Sequence, residues 1–181
     1  MGHRLGRVLI TQEEIAARVR ALGHDLARDF EGKEPLLVAV LKGAVVFLAD
    51  LMRATGLPLG CDFISVSSYG QSSRSSGVVK ISADLSQTIE GRHVILVEDI
   101  IDTGRTISYL KRNLLTRHPQ SLRICTLLDK VGRREVEVEL DYVGFSIPNE
   151  FVVGYGLDYQ GLYRNLPHIL VLEPAHDEAL R

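Results

Sequence analysis

Three carboxylates in the middle of the chain indicate a site for a charged ligand. Glu98 and Asp99 are adjacent, and Asp102 opens the segment Asp102-Thr103-Gly104-Arg105-Thr106. The apolar run at 94–97 predicts a buried strand before the acids, and the spacing of apolar residues after them predicts a helix. Ligands of open α/β sheets bind beyond the carboxyl ends of strands, and a helix N-terminus offers free N–H groups to phosphate. The segment therefore predicts a site for a sugar phosphate and allows one for a metal.

Strand and helix patterns alternate along most of the chain. Thr11 and Glu14 match a capping box at the start of an amphipathic helix, and the apolar run at 36–41 is typical of a strand covered on both faces. Further patterns predict a helix at 44–54 and strands at 61–67, 78–82, 122–128, 142–145, 151–155 and 169–172. This alternation predicts an α/β fold with a mainly parallel, twisted sheet flanked by helices on both faces. No repeat or linker divides residues 1–181, so we expect a single domain.

Composition limits the classes of function. Hydrophobic residues make up 45% of the chain and charged residues 24%, and the formal net charge is −2. This charge argues against strong nonspecific attraction to nucleic acid or to an acidic membrane. No apolar run reaches the roughly 18 residues of a membrane span, and the first residues lack a signal-peptide pattern. We expect a cytoplasmic protein, in which Cys61 and Cys125 are buried thiols in a reducing compartment.

Other readings of the acidic segment have less support. Asp-Thr-Gly also occurs in aspartic proteases, but such a site needs two copies, or a dimer, on an all-β scaffold. Here the triplet occurs once, between a predicted strand and a predicted helix. The chain also lacks the glycine-rich motifs of P-loop ATPases and dinucleotide-binding folds.

Two blocks carry a resemblance to a known family. Residues 97–106 resemble the phosphoribosyl-diphosphate motif of type I phosphoribosyltransferases, and residues 143–159 are similar to a block of their hypoxanthine(-guanine) branch. Leu41-Lys42-Gly43, Ser68-Tyr69 and Leu128-Asp129-Lys130 occur in the order that the family expects. The similarity runs from about Thr11 to Leu172. It implies the type I phosphoribosyltransferase fold with a flexible hairpin flap at about 68–80, a small hood formed by about 145–181, and a homodimer or homotetramer.

The resemblance also implies an activity and its site residues. The 5-phosphoribosyl group of phosphoribosyl diphosphate would be transferred, with Mg²⁺, to the 6-oxopurine hypoxanthine or guanine, as in purine salvage. Asp102 would be the general base at the purine N7. The ribose and 5′-phosphate would be bound by Glu98, Asp99, Thr103, Gly104, Arg105 and Thr106. Diphosphate would be bound by Lys42, Gly43, Ser68, Tyr69 and Arg164, and the purine by Lys130, Phe151, Val152 and Asp158. Glu98, Asp99 and Asp158 would hold the metal, mainly through substrate or water.

Two alternatives remain open at this point. One is a phosphoribosyltransferase that prefers xanthine, and the other is a non-catalytic regulator on the same fold that binds nucleic acid. The sequence does not rank hypoxanthine against guanine, because the purine 2-position is read by backbone atoms. It also does not choose between dimer and tetramer, or decide whether the Leu41–Lys42 peptide is cis, as it is in many relatives.

Overall fold

The computed structural model describes residues 3–68 and 79–174. The tip of the predicted flap, including Tyr69, lies outside these ranges. Within them the chain forms nine strands and three helices: β1 His3–Ile10, α1 Gln12–Asp29, β2 Leu36–Leu41, α2 Val45–Thr55, β3 Gly60–Ser68, β4 Val79–Ala83, β5 His93–Ile101, α3 Arg105–Leu115, β6 Ser121–Lys130, β7 Tyr142–Ile147, β8 Val152–Val153 and β9 Ile169–Pro174. None of the helices in the described ranges is long and apolar enough to cross a membrane.

Six strands form the main sheet in the spatial order β4-β3-β2-β5-β6-β7. Every neighbouring pair is parallel except β3 and β4, which run antiparallel as the two arms of the predicted hairpin. The chain adds β3 on one side of β2 and later adds β5 on the other side. The carboxyl ends of β2 and β5 therefore flank a topological switch point, the place where open α/β sheets bind ligands.

Apolar layers cover both faces of the main sheet. Alternate residues of β2 enter opposite layers, because successive side chains of a strand point to opposite faces. Leu37 and Ala39 pack in the layer that contains α1 and α2, whereas Leu36 and Val38 pack in the layer that contains α3. This arrangement explains the continuous apolar run in the sequence and confirms the predicted helices on both faces.

The beginning of α1 confirms the predicted capping box. The backbone N–H of Glu14 donates to Thr11 Oγ1 over 3.2 Å, and the N–H of Thr11 donates to Glu14 Oε2 over 2.8 Å. Two N–H groups that lack partners inside the helix are therefore satisfied by side chains.

A second, antiparallel sheet of three strands has the order β1-β9-β8. We call this sheet the hood sheet. Strand β1 was not predicted from the sequence, because it is exposed along most of its length and so has little apolar pattern to recognise. The predicted strand at 151–155 is correct only for Val152–Val153. It ends there because Gly154 has a φ of 102°, outside the range of regular strands.

One prediction about the cysteines is wrong. Cys125 is buried as expected, but Cys61 is an exposed free thiol. Cys61 lies on β3, where Asp62 and Ile64 face the interior. Because the side-chain period of a strand is two residues, Cys61 faces the opposite way.

Candidate active site

Residues at the ends of three adjacent parallel strands come together at the switch point. Glu98 and Asp99 lie near the carboxyl end of β5, and Asp102 directly follows that strand. Lys130 is the last residue of the neighbouring β6. On the other side, the turn Lys42-Gly43 follows β2. The fold thus brings together three motifs that are separated by up to about 90 residues in the sequence.

Two cavities open at this point. The hood-side cavity has a volume of about 270 Å³ and is lined by Asp99, Ile100, Asp102, Lys130, Phe151, Val152, Leu157 and Asp158. The loop-side cavity, of about 110 Å³, is lined by Glu98, Ile100, Ile101, Asp102, Thr103, Gly104, Thr106 and Ile107. Asp102 lines both cavities and therefore lies at their junction.

Burial dominates the electrostatics of the two adjacent acids. The side chain of Glu98 is buried, and this burial together with the neighbouring Asp99 raises the pKa of Glu98 well above its ordinary range. Burial also raises the pKa of Asp99 to about 6, although the N–H of Ile100 donates to its Oδ1 over 2.9 Å. Both shifts follow from the cost of placing a carboxylate in a medium of low dielectric constant. The two acids form a concentrated set of acceptors for hydroxyl donors or a cation.

The Asp102 carboxylate is held between two cations. Lys130 Nζ lies 3.6 Å from Oδ2, and Arg133 Nε lies 3.0 Å from Oδ1. Oδ1 is buried, and no donor in the described residues has hydrogen-bond geometry toward it, so its contact with Arg133 is an ion pair only. The Asp102 side chain is nevertheless 38% exposed. Oδ2 is therefore the carboxylate oxygen left to meet a ligand.

The loop that leads into α3 presents backbone N–H groups. Gly104 begins the helix with a φ of 83°, and no side chain caps it. Within the described part of the chain, no protein acceptor takes the N–H groups of Thr103, Gly104 or Thr106, and the N–H of Arg105 makes only a long 3.4 Å contact with Thr103 Oγ1. Free N–H groups at a helix start, together with the helix dipole, form an anion site.

The turn after β2 packs closely on the acids. A β-carbon at Gly43 would overlap the carboxylate of Asp99, so only glycine allows this approach. The Leu41–Lys42 peptide bond is cis. Lys42 is exposed at the same edge of the sheet.

Residues 151–158, in and around β8 of the hood sheet, supply the opposite wall of the hood-side cavity. Phe151 is 53% exposed, unusual for a large aromatic side chain, whereas Val152 is buried. Asp158 accepts from the N–H of Gly161 over 2.7 Å and pairs with Arg164 over 2.5 Å. Arg164 also donates to the carbonyl of Gly156 over 2.6 Å.

The structure therefore brings most of the predicted site residues to one place. Gly43 packs against Asp99 and Arg164 pairs with Asp158, so both lie beside the hood-side cavity without lining it, and Lys42 precedes Gly43 in the same turn. β3 ends at Ser68, and Tyr69 lies outside the described ranges. Arg133 was not among the predicted site residues, although a charged run directly after the strand that carries Lys130 was available as a signal.

A larger cavity, of about 410 Å³, lies at the opposite edge of the sheet, where β5 and β6 begin. Its charged and polar groups already have partners. Tyr142 donates to Asp29 over 2.7 Å, and Arg123 donates to Asp141 over 2.6 Å. The smaller cavities at the switch point, with an uncapped helix start and a carboxylate at their junction, are the better candidate site.

Comparison with known proteins identifies the family to which this chain belongs. A family model described as the phosphoribosyl transferase domain matches residues 9–160. The hypoxanthine-guanine phosphoribosyltransferase of Mycobacterium avium is 53% identical over 173 residues, covering 92% of this chain and 85% of that protein. The corresponding enzyme of Bacillus subtilis is 49% identical over 175 residues, covering 97% of both chains. A crystal structure of a Staphylococcus aureus hypoxanthine phosphoribosyltransferase has a TM-score of 0.90 and 46% identity, covering 94% of this chain and 92% of that one.

Some relatives are longer. The bifunctional protein TilS/HprT of Listeria monocytogenes is 51% identical over 174 residues, and the match spans 27% of its length. The chain belongs to the phosphoribosyl transferase family, and the relatives named above lie in its hypoxanthine-guanine branch. These matches confirm the predicted family and its type I fold. They also confirm the prediction of an enzyme of the glycosyltransferase class.

Proposed function

We propose that this chain transfers the 5-phosphoribosyl group of phosphoribosyl diphosphate to hypoxanthine and guanine, with release of diphosphate. The observation that carries the proposal is the position of Asp102 at the junction of the two cavities. One cavity has free N–H groups for a phosphate, and the other has an exposed aromatic ring and a lysine for a base. A carboxylate between them is in position to act where the sugar and the base react.

The loop-side cavity is proposed to bind the 5′-phosphate. Thr103, Gly104, Arg105 and Thr106 would donate backbone and side-chain hydrogen bonds to it, supported by the dipole of α3. Glu98 and Asp99 would accept hydrogen bonds from the ribose hydroxyls. These contacts would fix the reacting sugar carbon at the mouth of the hood-side cavity.

The hood-side cavity is proposed to bind the purine. Phe151 would stack on the ring, and Val152 would contact the base edge through its backbone. Lys130 Nζ would donate to the purine O6. Asp158 would lie near the 2-position. Lys130 is buried, and its ammonium group pairs with Asp102. A carbonyl oxygen at the purine 6-position would give this ammonium group a second acceptor, whereas an amino group at that position would not.

The proposed reaction replaces one bond to the sugar with another. The purine N9 forms a bond to C1 of the ribose while the bond from C1 to the diphosphate oxygen breaks, and diphosphate leaves with the electron pair. The proton on N7 passes to Oδ2 of Asp102. Positioning of both partners and neutralisation of the leaving charge carry the catalysis, so no covalent nucleophile is needed.

The diphosphate is proposed to lie beside the turn after β2. Lys42 and the backbone of Gly43 would donate to it, together with Ser68, Tyr69 and Arg164. Arg164 is already paired with Asp158 and with the carbonyl of Gly156. A diphosphate would therefore have to share this guanidinium, which has five N–H donors.

Magnesium is proposed as the cofactor because the donors suit it. Among the residues that the structure describes, no three His, Cys, Asp or Glu side chains form a metal-holding group. Mg²⁺ is bound mostly through one or two carboxylates, water and substrate phosphates, and Asp99 and Asp158 line the same cavity. Asp99, Glu98 and Asp158 would hold it, mainly through substrate or water. When bound, it would neutralise charge on the diphosphate.

An incubation with several bases tests the proposal. The protein, phosphoribosyl diphosphate and Mg²⁺ are mixed with hypoxanthine, guanine, xanthine, adenine or uracil, and the mononucleotide is measured. We expect product from hypoxanthine and guanine and none from adenine or uracil. Faster product formation from xanthine would favour the xanthine-preferring alternative. No nucleotide from any base would overturn the proposal and leave the nucleic-acid-binding regulator.

We also propose an oligomeric state, a domain organisation and a location for this chain. A homodimer or homotetramer is tested by sedimentation of the purified chain. A single domain, with the flap at about 68–80 and the hood at about 145–181, is tested by limited proteolysis. A cytoplasmic location is supported by the two free thiols, which are typical of reducing compartments.

A further inference from the structure

A segment after β6 is tied to the loop that precedes α3. We call residues 131–136 the strap. The N–H groups of Glu135 and Val136 both donate to the carbonyl of Thr103, over 2.9 and 3.1 Å. A β-carbon at Gly104 would overlap the carbonyl oxygen of Val136, so the strap and the loop are in close contact. The strap therefore fixes the backbone from which Asp102 projects.

Side chains of the strap strengthen this attachment. Arg134 donates to the carbonyl of Asp102 over 3.2 Å and pairs with Asp129, next to Lys130. Glu135 pairs with Arg105 at the first turn of α3. The strap is thus held at the end of β6 and at the start of α3, on both sides of Asp102.

Within the strap, Arg133 is the residue that contacts the Asp102 carboxylate. Its Nε lies 3.0 Å from the buried Oδ1. Arg133 lines neither of the two cavities, so it reaches Asp102 from outside the space in which the substrates would bind. With Oδ1 held in this way, Oδ2 is the oxygen that faces Lys130 and the ligand.

We propose that Arg133 is a positioning residue that orients the Asp102 carboxylate by pairing with Oδ1, so that Oδ2 meets the proton of the purine. This inference rests on the proposed function. Arg133 does not touch substrate. Its effect is on the alignment of the base with the proton, and small errors of alignment reduce the rate of a positioned reaction.

Steady-state kinetics with hypoxanthine test the assignment. We compare the wild type with Arg133→Ala and Arg133→Lys, and with Arg112→Ala as the control. Arg112 is exposed on α3 and makes no ion pair in the described structure, so its replacement removes the same charge away from Asp102. Arg133→Ala should lower kcat by about two- to fivefold, the effect of losing an ion pair between side chains that are 45% and 38% exposed.

The lysine variant and a double-mutant cycle separate alignment from general stability. Arg133→Lys should recover part of the lost kcat because it keeps the charge, and Arg112→Ala should match the wild type. In an Asp102→Asn background, Arg133→Ala should cause no further loss, because the partner carboxylate is gone. Melting temperatures of all variants are measured in parallel, and those of the two Arg133 variants should match those of the wild type and of Arg112→Ala.

Each outcome of the cycle supports or overturns the assignment. A normal kcat for Arg133→Ala in an active enzyme would overturn it and leave the proposed function standing. The same fold loss in the wild-type and Asp102→Asn backgrounds, which is the result for a role independent of the carboxylate, would also overturn it. A wild-type chain that forms no nucleotide would overturn the proposed function itself, and the assignment with it.

Discussion

Replacement of Asp99 by asparagine should make the protein more stable at neutral pH. Burial raises the pKa of Asp99 to about 6 from an ordinary value of 3.8. At 1.36 kcal/mol per pKa unit, ionising this group in the folded state at neutral pH costs about 3 kcal/mol. An asparagine side chain carries no charge and keeps an oxygen to accept from the N–H of Ile100. For a chain of this size, about 3 kcal/mol corresponds to a rise in Tm of roughly 6–12 °C.

The size of this effect depends on pH. Between pH 3.8 and 6 the folded state binds the proton more tightly than the unfolded state, so the contribution of Asp99 to stability falls as the pH rises. Above about pH 6 Asp99 is ionised in the folded state as well, so the full cost of ionising it there is present. The advantage of Asp99→Asn should therefore be small near pH 4, grow up to about pH 6–7 and stay constant above that.

Denaturant unfolding of both proteins from about pH 4 to about pH 8 measures the difference. Asp25→Asn is the matched control, because the Asp25 side chain is half-exposed on α1 and, among the described residues, pairs with Arg28 alone, over 3.0 Å. Its effect should stay within about 0.5 kcal/mol. An Asp99→Asn protein that is no more stable than the wild type at about pH 7.5, or is more stable by the same amount at every pH, would refute the reasoning. Activity should fall in the same variant, because Asp99 is proposed to hold the ribose hydroxyls.

Three further changes address the two cavities. Asp102→Asn should lower kcat by about 10²–10⁴-fold, the usual contribution of a general base, in a protein that still folds; a near-normal rate in steady-state assays would remove this role. Lys130→Ala should raise the KM for hypoxanthine, because the proposed O6 contact is lost, and an unchanged KM in steady-state assays would contradict that contact. Gly104→Ala places a β-carbon against the carbonyl of Val136 at a φ of 83°, so it should cost about 1–3 kcal/mol of stability and weaken binding of ribose 5-phosphate. A wild-type Tm and affinity for this variant would show that the loop tolerates a side chain.

The main sheet was predictable because local patterns and global packing agree there. The runs at 36–41 and 94–97 are apolar throughout, as strands buried on both faces require. The acids that interrupt the second run mark the carboxyl end of β5. Parallel pairing then places the ends of β2, β5 and β6 together, so the location of the site follows from the order of the elements.

The rest depends on contacts between distant parts of the chain. β1 pairs with β9 in a register that joins His3 to Pro174, and no local pattern encodes a partner so far away. The exposure of Cys61 depends on which face of β3 is covered. The contact of Arg133 with Asp102 depends on the path of the strap, which is set by hydrogen bonds to Thr103 rather than by periodicity.

The hood sheet joins an early strand to a late one, and this has a consequence for synthesis on the ribosome. β1 emerges before the main sheet but cannot pair until β9, about 160 residues later, has also emerged. The main sheet, complete by residue 147, can assemble earlier because its strands are closer together in the sequence, and pairings over long separations form slowly. The wall that carries Phe151 and Asp158 is therefore completed last, and a nascent chain has its phosphate loop before it has a closed compartment for the base.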